Sequence, residues 1–352
     1  MAKRALITGV TGQDGSYLAE VLLSKGYKVF GLMRYASYPN TYRIIHLIDN
    51  PKYPNFQTVL GDLSDSSNLM AVLKKYKPDE IYNLGALSRV DVSFIIPEYT
   101  ANIAGLGSLR ILDAIRELDA PIKCYQAGSS EMFGKVEKGT FQNENTPFNP
   151  QSPYGLSKVF AYHITKIYRD SYGMFAANGI LFNHESPRRG RRFVTRKITL
   201  GLSAVKLALQ DVLTLGNLSA MRDWGYAKDY VEGIYRILQY KTPEDFVLAT
   251  GETYSVREFA ESVAKELGMD LVWKGKGINE RGINRKNGKT IIKIDPIHFR
   301  PSEVEYLRGD SSRARNLLSW KPTVSFKRLV EIMVKEDYDL VKHEAKLGIW
   351  RK

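Results

Sequence analysis

The chain has 352 residues, which is enough for two domains or for one large α/β domain with an appendage. Its composition, 43% hydrophobic and 25% charged, is that of a folded globular protein and excludes a disordered or low-complexity chain. The single cysteine, Cys124, excludes an internal disulfide and a cysteine-built zinc site, and 51 basic against 38 acidic residues give a net charge of +13.

The cysteine count and the distribution of apolar residues predict where the protein is located and argue against a membrane span. A lone cysteine favours a reducing compartment, and the first residues lack the apolar segment and cleavage site of a secretory signal. No uninterrupted apolar run approaches about 18 residues, the length that a membrane span requires. We therefore expect a cytoplasmic protein with no bound metal and no membrane contact.

The first third of the chain alternates short β-rich runs with amphipathic segments. The predicted strands are 4–8, 28–33, 56–60, 80–84 and 122–127, and the predicted helices between them are 17–25, 69–76 and 103–118. A helix over 151–172 and a strand over 175–183 follow, and the order then becomes mixed, with helices over 313–318 and 326–342. Strands that alternate with helices indicate βαβ units and a parallel sheet.

This order predicts a two-part architecture of the α/β class. We expect residues 1–183 to form a doubly wound, Rossmann-type parallel sheet that carries the catalytic residues. We expect residues 184–352 to form mainly a smaller C-terminal α+β lobe that binds substrate, with some exchange of chain between the lobes. A doubly wound sheet binds ligands at the carboxyl ends of its strands, so the cleft between the lobes is the predicted site.

A glycine-rich loop joins the first predicted strand to the first predicted helix. It reads Gly9-Val10-Thr11-Gly12-Gln13-Asp14-Gly15, a G-x-x-G-x-x-G spacing that resembles the extended short-chain dehydrogenase/reductase group. Glycines allow a tight turn and a close backbone approach, and the helix N-terminus then offers unpaired N–H groups to a pyrophosphate. The loop therefore predicts a dinucleotide site that includes Gly9, Thr11, Gly12, Gln13, Asp14 and Gly15.

The residues after the second and third strands indicate which dinucleotide binds. A site selective for NAD places Asp or Glu against the ribose 2′-hydroxyl, but here Arg34 follows the second strand and Ser37 comes soon after. An arginine pairs with a 2′-phosphate, so NADP is the predicted cofactor. Asp62 and Leu63 follow the third strand; Asp62 is placed to touch the adenine, although an aspartate there also caps the following helix.

The positive charge is concentrated in two segments. The first, 188–197, holds Arg188, Arg189, Arg191, Arg192, Arg196 and Lys197; the second, 274–293, holds Lys274, Lys276, Arg281, Arg285, Lys286, Lys289 and Lys293. No helix-turn-helix spacing, zinc finger or aromatic RNA-binding signature accompanies them. We therefore expect a compact polyanion and not nucleic acid, while a solvated loop stays the alternative for each segment.

Tyrosine and lysine four residues apart lie on one face of a helix, where the ammonium lowers the phenol pKa and lets the tyrosine act as a base. Three such pairs occur: Tyr154 with Lys158, Tyr162 with Lys166, and Tyr338 with Lys342. Only the first lies at the start of a predicted helix, after a strand that ends in Gly128-Ser129-Ser130-Glu131. It is therefore the predicted catalytic pair.

Longer motifs extend the comparison beyond the glycine loop. They include Ser152-Pro153-Tyr154-Gly155, Asn183-His184-Glu185-Ser186-Pro187 and Arg222-Asp223-Trp224-Gly225. With these motifs, residues 3–341 resemble the GDP-mannose 4,6-dehydratase family. The resemblance implies a lyase that converts GDP-D-mannose into GDP-4-keto-6-deoxy-D-mannose and water, with an internal hydride transfer from C4 to C6 through NADP.

The resemblance assigns roles to residues already singled out. It implies that Tyr154, assisted by Lys158, removes the proton of the sugar 4-hydroxyl, whose oxygen Ser129 hydrogen-bonds. It implies that Glu131 removes the C5 proton and protonates the departing 6-hydroxyl, a second base that simple hydride transfer does not need. Loop and cap roles are the structural alternative for Ser129 and Glu131.

The same resemblance implies further binding residues. Its cofactor positions are Leu84, Gly85, Ala86, Ser88, Tyr99, Lys158, His184 and Arg189. Its nucleotide-sugar positions are Ser88, Asn183, Val194, Lys197, Arg222, Arg300 and Glu303. Fixed arginines and a lysine suit a pyrophosphate, which accounts for the first basic segment. The alternatives are that Asn183 satisfies strand-end backbone groups and that Arg300 forms a surface ion pair.

The chain departs from the family pattern at two places. Where the family has Arg-Arg-Ser-Ser after the second strand, this chain reads Arg34-Tyr35-Ala36-Ser37. Where the family has Gln and His near the cofactor, this chain has Leu87 and Arg89. One cation and one hydroxyl are therefore missing, and Arg89 is a candidate to replace the lost charge near NADP.

Other functions stay open from the sequence. A related nucleotide-sugar 4,6-dehydratase or a 4-keto-6-deoxy-sugar reductase uses a similar site, although Glu131 argues against a pure reductase. A scaffold protein that senses NADP without catalysis is the alternative outside the enzymes. The resemblance also implies a homodimer or homotetramer with the Arg34 loop near the partner subunit.

Overall fold

A seven-stranded parallel sheet forms the centre of the protein. The computed structural model describes residues 2–38, 40–299 and 302–350. The strands are β1 (Arg4–Thr8), β2 (Lys28–Met33), β3 (Phe56–Leu60), β4 (Glu80–Asn83), β5 (Lys123–Ala127), β6 (Ala176–Leu181), β7 (Asn183–Glu185), β8 (Leu213–Leu215), β9 (Met221–Arg222), β10 (Trp224–Tyr226), β11 (Phe246–Leu248), β12 (Tyr254–Ser255), β13 (Leu271–Lys274), β14 (Arg281–Asn284) and β15 (Thr290–Ile294). The central sheet has the order β11-β6-β5-β4-β1-β2-β3, and all its neighbouring strands run parallel.

Helices cover both faces of this sheet, which confirms the predicted doubly wound α/β class. They are α1 (Gln13–Ser24), α2 (Ser66–Tyr76), α3 (Val90–Ile95), α4 (Pro97–Thr100), α5 (Gly107–Glu117), α6 (Pro153–Tyr172), α7 (Val194–Lys206), α8 (Ala227–Gln239), α9 (Val256–Glu266), α10 (Ser312–Leu318) and α11 (Phe326–Lys346). A π-helical segment, Ala101–Leu106, joins α4 to α5. Within the described residues, none of the helices is long and apolar enough to cross a membrane.

The predicted elements agree with the structure best where the pattern is local and regular. Strands 4–8, 28–33 and 56–60 form over the predicted residues. The predicted strand 175–183 is divided, because β6 ends at Leu181 and Asn183 begins β7, which pairs with β10 in a separate two-stranded sheet. The predicted helix 103–118 begins as the π-helical segment, and the short helices α3 and α4 were not predicted at all.

The strand order places a crevice at the carboxyl end of β1. That strand lies between β2 and β4, so the chain crosses from one half of the sheet to the other next to it. Such a reversal separates the two adjacent loops and opens a ligand crevice at the strand ends. The glycine loop follows β1 directly and therefore lies in this crevice.

Alternate residues of β1 pack into different cores, as the period of a strand requires. Ala5 and Ile7 belong to a buried cluster with residues of α1 and α8, whereas Leu6 belongs to a cluster with residues of α2 and α5. All three side chains are at most 1% exposed. Burial on both faces holds the start of the glycine loop rigidly.

A second lobe lies beside the central sheet. Its four-stranded sheet has the order β13-β14-β15-β8, and its core includes residues of α7, α9 and α11 such as Leu202, Phe259 and Met333, each fully buried. Both β11 and α8 follow residue 183 in the chain yet belong to the central sheet and its covering layer. The domain boundary at residue 183 stays a prediction.

Candidate active site

A cavity of about 1300 Å³ opens between the carboxyl ends of the central strands and the second lobe. It is lined by nearly all the residues that the sequence proposed for catalysis, cofactor binding and substrate binding. Two predicted residues are not part of the lining: Ser37 is exposed and does not line the cavity, and Arg300 lies outside the described residues. Segments far apart in sequence thus meet around one space.

The glycine loop is shaped by two close backbone approaches. Gly9 has φ of +69°, and a Cβ there would lie 2.9 Å from Cα of Gly85. A Cβ on Gly15 would lie 2.4 Å from the carbonyl oxygen of Gly9. The hydroxyl of Thr8 fixes the facing loop, because it accepts hydrogen bonds from the N–H groups of Leu84 and Gly85 at 3.0 and 2.9 Å.

The N-terminus of α1 fits a phosphate group. Gly12 is its N-cap residue and has no side-chain oxygen to accept the first-turn N–H groups. These groups and the positive end of the helix dipole therefore remain available to an anion. A Cβ at Gly9 or Gly15 would collide with neighbouring backbone, so glycine at both positions lets the loop keep this shape. The first-turn N–H groups of α1 in this loop fit the pyrophosphate of a dinucleotide.

Gln13 and Asp14 use their side chains inside the protein. The amide of Gln13 donates to the carbonyl of His184 at 3.1 Å and accepts from the hydroxyl of Ser186 at 2.8 Å. Oδ2 of Asp14 lies 2.9 Å from Nε2 of His184. The two side chains predicted to bind cofactor therefore connect the glycine loop to the 184–186 segment, and the backbone of the loop is left to face a ligand.

His184 is held as an imidazolium by its neighbours. Its Nδ1 faces the carbonyl oxygen of Phe182 at 2.7 Å and its Nε2 faces the Asp14 carboxylate, so both nitrogens need a proton. Burial lowers the pKa of His184, but the charge and hydrogen bond of Asp14 outweigh burial and raise it above 6.5. Burial likewise raises the pKa of Asp14, but His184 outweighs it and brings the value to about 2. The two groups form a buried ion pair.

The end of the cavity beyond β2 holds Arg34 and Asp62. Nη1 of Arg34 donates to the hydroxyl of Tyr99 at 2.6 Å, which joins two of the predicted cofactor residues. Asp62 accepts hydrogen bonds from the N–H and the hydroxyl of Ser64. The cap of the following helix α2 is Asp65, not Asp62, so the capping alternative for Asp62 is wrong.

The catalytic candidates come from the ends of β5 and α6. Ser129 and Glu131 follow β5 in a 3₁₀ turn over Ser130–Met132, and Tyr154 occupies the first turn of α6 after the capping residue Ser152. Ser129 lies near enough to the phenol of Tyr154 to lower its pKa, and the charge of Glu131 acts on the same phenol. Tyr154 and Glu131 are largely buried, 8% and 7% exposed, and both line the cavity.

The pKa of the Tyr154 phenol departs from the expectation. Burial raises it to about 12; Ser129 lowers it and the charge of Glu131 raises it. Nζ of Lys158 donates to the carbonyl of Ala127 at 2.8 Å and lies 5.9 Å from the phenol ring centroid. Burial also lowers the pKa of Lys158 to about 8. The expected net lowering of the phenol pKa is therefore wrong for the protein alone, because desolvation dominates.

The first basic segment is divided between structural and cavity-facing roles. Arg188 lies 2.6 Å from Glu20, Arg191 pairs with Glu344, and Arg196 lies 2.6 Å from the fully buried Asp337. These three cations are thus neutralised by acids on α1 and α11. Arg189, Arg192 and Lys197 line the cavity, as does Arg191, and Arg189 also lies 3.3 Å from the buried Glu185. Only the residues that line the cavity remain candidates for a pyrophosphate site.

The described nucleotide-sugar candidates also line the cavity. Oδ1 of Asn183 is buried and has no hydrogen-bond partner among the described residues, which suits a polar ligand. Arg222 is 6% exposed and lies 3.1 Å from Glu303. Val194 begins α7 and Lys197 follows one turn later. An unsatisfied amide, a buried arginine, a half-buried lysine and a carboxylate together fit a polar anionic molecule.

Two cavity residues were missed by the sequence reasoning. Nε2 of His298 lies 2.9 Å from Nζ of Lys197 and 3.1 Å from Oγ1 of Thr214. Arg43 is 8% exposed and donates to the carbonyls of Thr11 and Arg188 at 3.1 and 2.6 Å, so it supports the glycine loop. Neither belongs to a motif, and only their tertiary neighbours distinguish them from surface residues.

The remaining basic residues lie elsewhere. Arg89 lines the cavity but pairs with Asp91, so an acid already neutralises the cation proposed to replace a lost charge near NADP. The second basic segment forms β14 and β15 and the turns beside them and does not line the cavity. Within the described ranges, no three His, Cys, Asp or Glu side chains gather as metal ligands.

Comparisons with known proteins agree with this geometry. Residues 6–333 match the family described as GDP-mannose 4,6 dehydratase. The GDP-mannose 4,6-dehydratase of Vibrio cholerae is 52% identical over 363 residues, with 99% of this chain and 97% of that protein covered. Among solved structures, dTDP-glucose 4,6-dehydratase from Bacillus anthracis, in complex with NAD, has a TM-score of 0.80 at 21% identity, covering 98% of both chains. RMD from Pseudomonas aeruginosa, complexed with NADPH, has a TM-score of 0.74 at 19% identity, covering 96% of this chain and 100% of that one.

Proposed function

The chain belongs to the GDP-mannose 4,6-dehydratase family, and from this membership we propose how its residues dehydrate GDP-D-mannose. The reaction gives GDP-4-keto-6-deoxy-D-mannose and water by an internal hydride transfer from C4 to C6, which makes the chain a lyase. We propose that NADP is the cofactor, that Ser129, Glu131, Tyr154 and Lys158 are catalytic, and that the cavity binds both molecules.

The choice of NADP rests on the charge beside β2. Within the described residues Arg34 forms no ion pair, and its guanidinium donates instead to the neutral hydroxyl of Tyr99. A guanidinium in that position suits the dianionic 2′-phosphate, whereas an NAD site needs an acid there. The loop of Gly9, Gly12 and Gly15 would hold the pyrophosphate, and Asp62 and Leu63 would lie against the adenosine.

Tyr154 acts first, as the base for the 4-hydroxyl. A nicotinamide bound in the cavity would supply the acceptor for the C4 hydride and the donor for its return to C6. Because burial raises the pKa of the phenol to about 12, the phenolate needs positive charge nearby, and Lys158, one helical turn along α6, supplies it. The hydroxyl of Ser129, which lies near the phenol, would hydrogen-bond the same sugar oxygen and keep it in line for proton removal.

Glu131 performs the elimination. The 4-keto group acidifies the C5–H bond, so a carboxylate in the same cavity can remove that proton. The resulting carboxylic acid then protonates the 6-hydroxyl as it leaves as water, which restores the carboxylate. Hydride addition at C6 would leave an enolate that needs a proton at C5. The proton that Tyr154 took from the 4-hydroxyl balances this demand, so both residues end in their starting protonation states. The position of Glu131 in the turn after β5, beside the base on α6, lets one residue serve both atoms.

The GDP end of the substrate is assigned to the nucleotide-sugar candidates that line the cavity. Lys197 and Arg222 would pair with the diphosphate, and the free Oδ1 of Asn183 would accept from a sugar or base donor. Glu303, beside Arg222, and Val194 would complete the nucleotide contacts, together with Ser88. Arg300 is proposed from the sequence resemblance alone.

The observation that carries this proposal is that Glu131 and Tyr154 line one cavity and interact electrostatically. The purified protein, incubated with GDP-mannose and catalytic NADP⁺, should yield a nucleotide sugar lighter by one water without net cofactor reduction. Glu131→Gln should stop water loss while retaining partial cofactor reduction, and the exposed control Glu137→Gln should behave as the parent. Normal dehydration by Glu131→Gln, or stoichiometric consumption of reduced cofactor, would contradict it.

We also propose a cytoplasmic homodimer or homotetramer without a nucleic-acid partner. Apolar side chains on α6 remain exposed in the single chain, with Leu156 at 61%, Phe160 at 41% and Ile167 at 52%. A second copy of the chain would cover such a face. Light scattering after gel filtration tests the assembly, and a monomeric mass at micromolar concentration would contradict it.

A further inference from the structure

The second basic segment contains an ordered row of cations. Across the four-stranded sheet, Lys274 is the register partner of Arg281, and Arg281 is the partner of Lys293. Register partners in neighbouring strands point to the same face and lie about 5 Å apart at Cβ. Three like charges therefore stand side by side on one face of the sheet.

The face that carries this row is the solvent face. The next row along the same strands is Trp273, Gly282, Ile292 and Leu213, and Ile292 and Leu213 are buried in the core of the second lobe. Because successive residues of a strand alternate between faces, the cationic row points away from that core. Lys274, Arg281 and Lys293 are exposed accordingly.

No acid neutralises the row. Among the described residues, no carboxylate lies within ion-pairing distance of Lys274, Arg281 or Lys293, although Arg285 of the same segment pairs with Asp270. Glu280, next to Arg281 in the chain, pairs with Arg257. Like charges directly opposite one another destabilise a sheet, so the row has an energetic cost that packing does not explain.

The row leads to the cavity. The register partner of Lys293 on the next strand is Thr214, whose hydroxyl contacts His298, and His298 contacts Lys197. Thr214, His298 and Lys197 all line the cavity. A continuous series of side chains thus runs from the outer strand β13 to the residue proposed to bind the diphosphate.

We propose that Lys274, Arg281 and Lys293 form an electrostatic guide that draws the anionic GDP-sugar toward Lys197. This inference rests on the proposed function for its substrate. A cleft bordered by one sign of charge raises the encounter rate of an oppositely charged ligand, and the effect disappears as salt screens it. The row acts before binding, so it changes the association rate and leaves the dissociation rate unchanged.

Other charges near the inner end of the row change its electrostatic potential but do not cancel it. Asp295 is two residues from Lys293 and its carboxylate accepts the N–H of Ile297. Asp91, paired with Arg89, acts on His298 from α3. Burial and the charge of Lys197 lower the pKa of His298, so this histidine is neutral at pH 7 and the cation at the inner end is Lys197.

The test compares two triple variants with the same change in net charge. In one, Lys274, Arg281 and Lys293 are each replaced by Gln; in the control, the exposed Lys52, Lys138 and Lys241 are replaced by Gln. Stopped-flow fluorescence measures binding of N-methylanthraniloyl-GDP to the NADP-loaded protein at about 20 mM and about 500 mM NaCl, where the screening length falls from about 20 Å to about 4 Å.

The guide predicts a specific pattern of rates. At low salt the association rate of the row variant falls on the order of 10-fold relative to the parent and the control, and at high salt the three proteins coincide. The melting temperature of the row variant does not fall, because its substitutions remove repulsion. Equal association rates of the two variants, or a loss confined to the dissociation rate, would overturn the guide.

The same experiment separates the inference from the proposed function. If the parent binds the GDP probe with the predicted rates but fails to dehydrate GDP-mannose, the function is wrong and the guide remains. If dehydration proceeds and the row variant associates like the control, the guide is wrong and the function remains. Loss of retention on immobilised heparin by the row variant with unchanged GDP association would assign the row to a polyanionic partner and would also overturn it.

Discussion

Oδ2 of Asp14 lies 2.9 Å from Nε2 of His184, so the first turn of α1 is connected by an ion pair to the segment that follows β6. The ring of His184 also stacks on Tyr230 at 4.7 Å between centroids. The glycine loop is thereby fixed to the segment that carries Asn183 and Arg189. The predicted cofactor residues of the loop and the predicted substrate residue Asn183 are therefore held in fixed positions relative to one another.

This ion pair makes stability depend on pH in both directions. The pKa of Asp14 falls from 3.8 to about 2 on folding, so its contribution is present above about pH 4 and is lost as pH falls toward 2. The pKa of His184 rises above 6.5, so its contribution is present below that value and is lost as pH rises through the folded pKa.

We expect Asp14→Asn to lower the free energy of unfolding at pH 6 by roughly 2–4 kcal/mol, because it leaves a buried imidazolium unpaired. Denaturant titrations of the parent and the variant between pH 3 and pH 9 measure the difference. It should be largest between the two pKa values. A difference that does not vary with pH would show that the pair is not ionised.

Lys158 gives the cofactor affinity a pH dependence. Burial lowers its pKa to about 8, so the ammonium loses its proton as pH rises through that value. The affinity for the anionic NADP should therefore weaken above about pH 8 in the parent, and Lys158→Met should show weak affinity without that inflection. Fluorescence titration with NADPH checks this, with Lys166→Met as a control on the outer part of the same helix. A persistent inflection in Lys158→Met would assign it to another group.

Gly9 is required for two separable reasons. Gly9 and Gly26 both have positive φ, +69° and +80°, but only a Cβ at Gly9 meets another atom, Cα of Gly85 at 2.9 Å. Gly26→Ala thus measures the backbone strain alone, about 1 kcal/mol. We expect Gly9→Ala to lower the melting temperature further and to weaken NADP binding, which calorimetry can measure. Equal effects of the two substitutions would remove the steric argument.

Arg34 is expected to select NADP over NAD. Arg34→Ala should weaken NADP binding roughly 10- to 100-fold, the loss of one charge-assisted contact of about 1.5–3 kcal/mol, and leave NAD binding nearly unchanged. Because Arg89 is paired with Asp91, Arg89→Ala should affect NADP binding much less. Calorimetric titration of both variants with both dinucleotides provides the comparison. A larger loss in Arg89→Ala would instead support its role in replacing the missing family cation.

The sequence by itself determined the features that short stretches of chain encode. Strands 4–8, 28–33 and 56–60, the G-x-x-G-x-x-G loop and the placement of Tyr154 at a helix start are set by periodicity and turn chemistry within a few residues. The family resemblance added the residues that no local pattern distinguishes. Almost all of these line one cavity.

Only the tertiary structure decided which charges are free to bind a ligand. Arg196 reads as a ligand-binding cation in the sequence but is paired with Asp337, which lies 141 positions away. The contact between Lys197 and His298 joins residues 101 positions apart, and the row from Lys274 to Lys293 depends on strand register. Desolvation likewise reversed the expected shift of the Tyr154 pKa. Ion pairs and burial depend on how distant elements pack, and local sequence patterns carry no record of that packing.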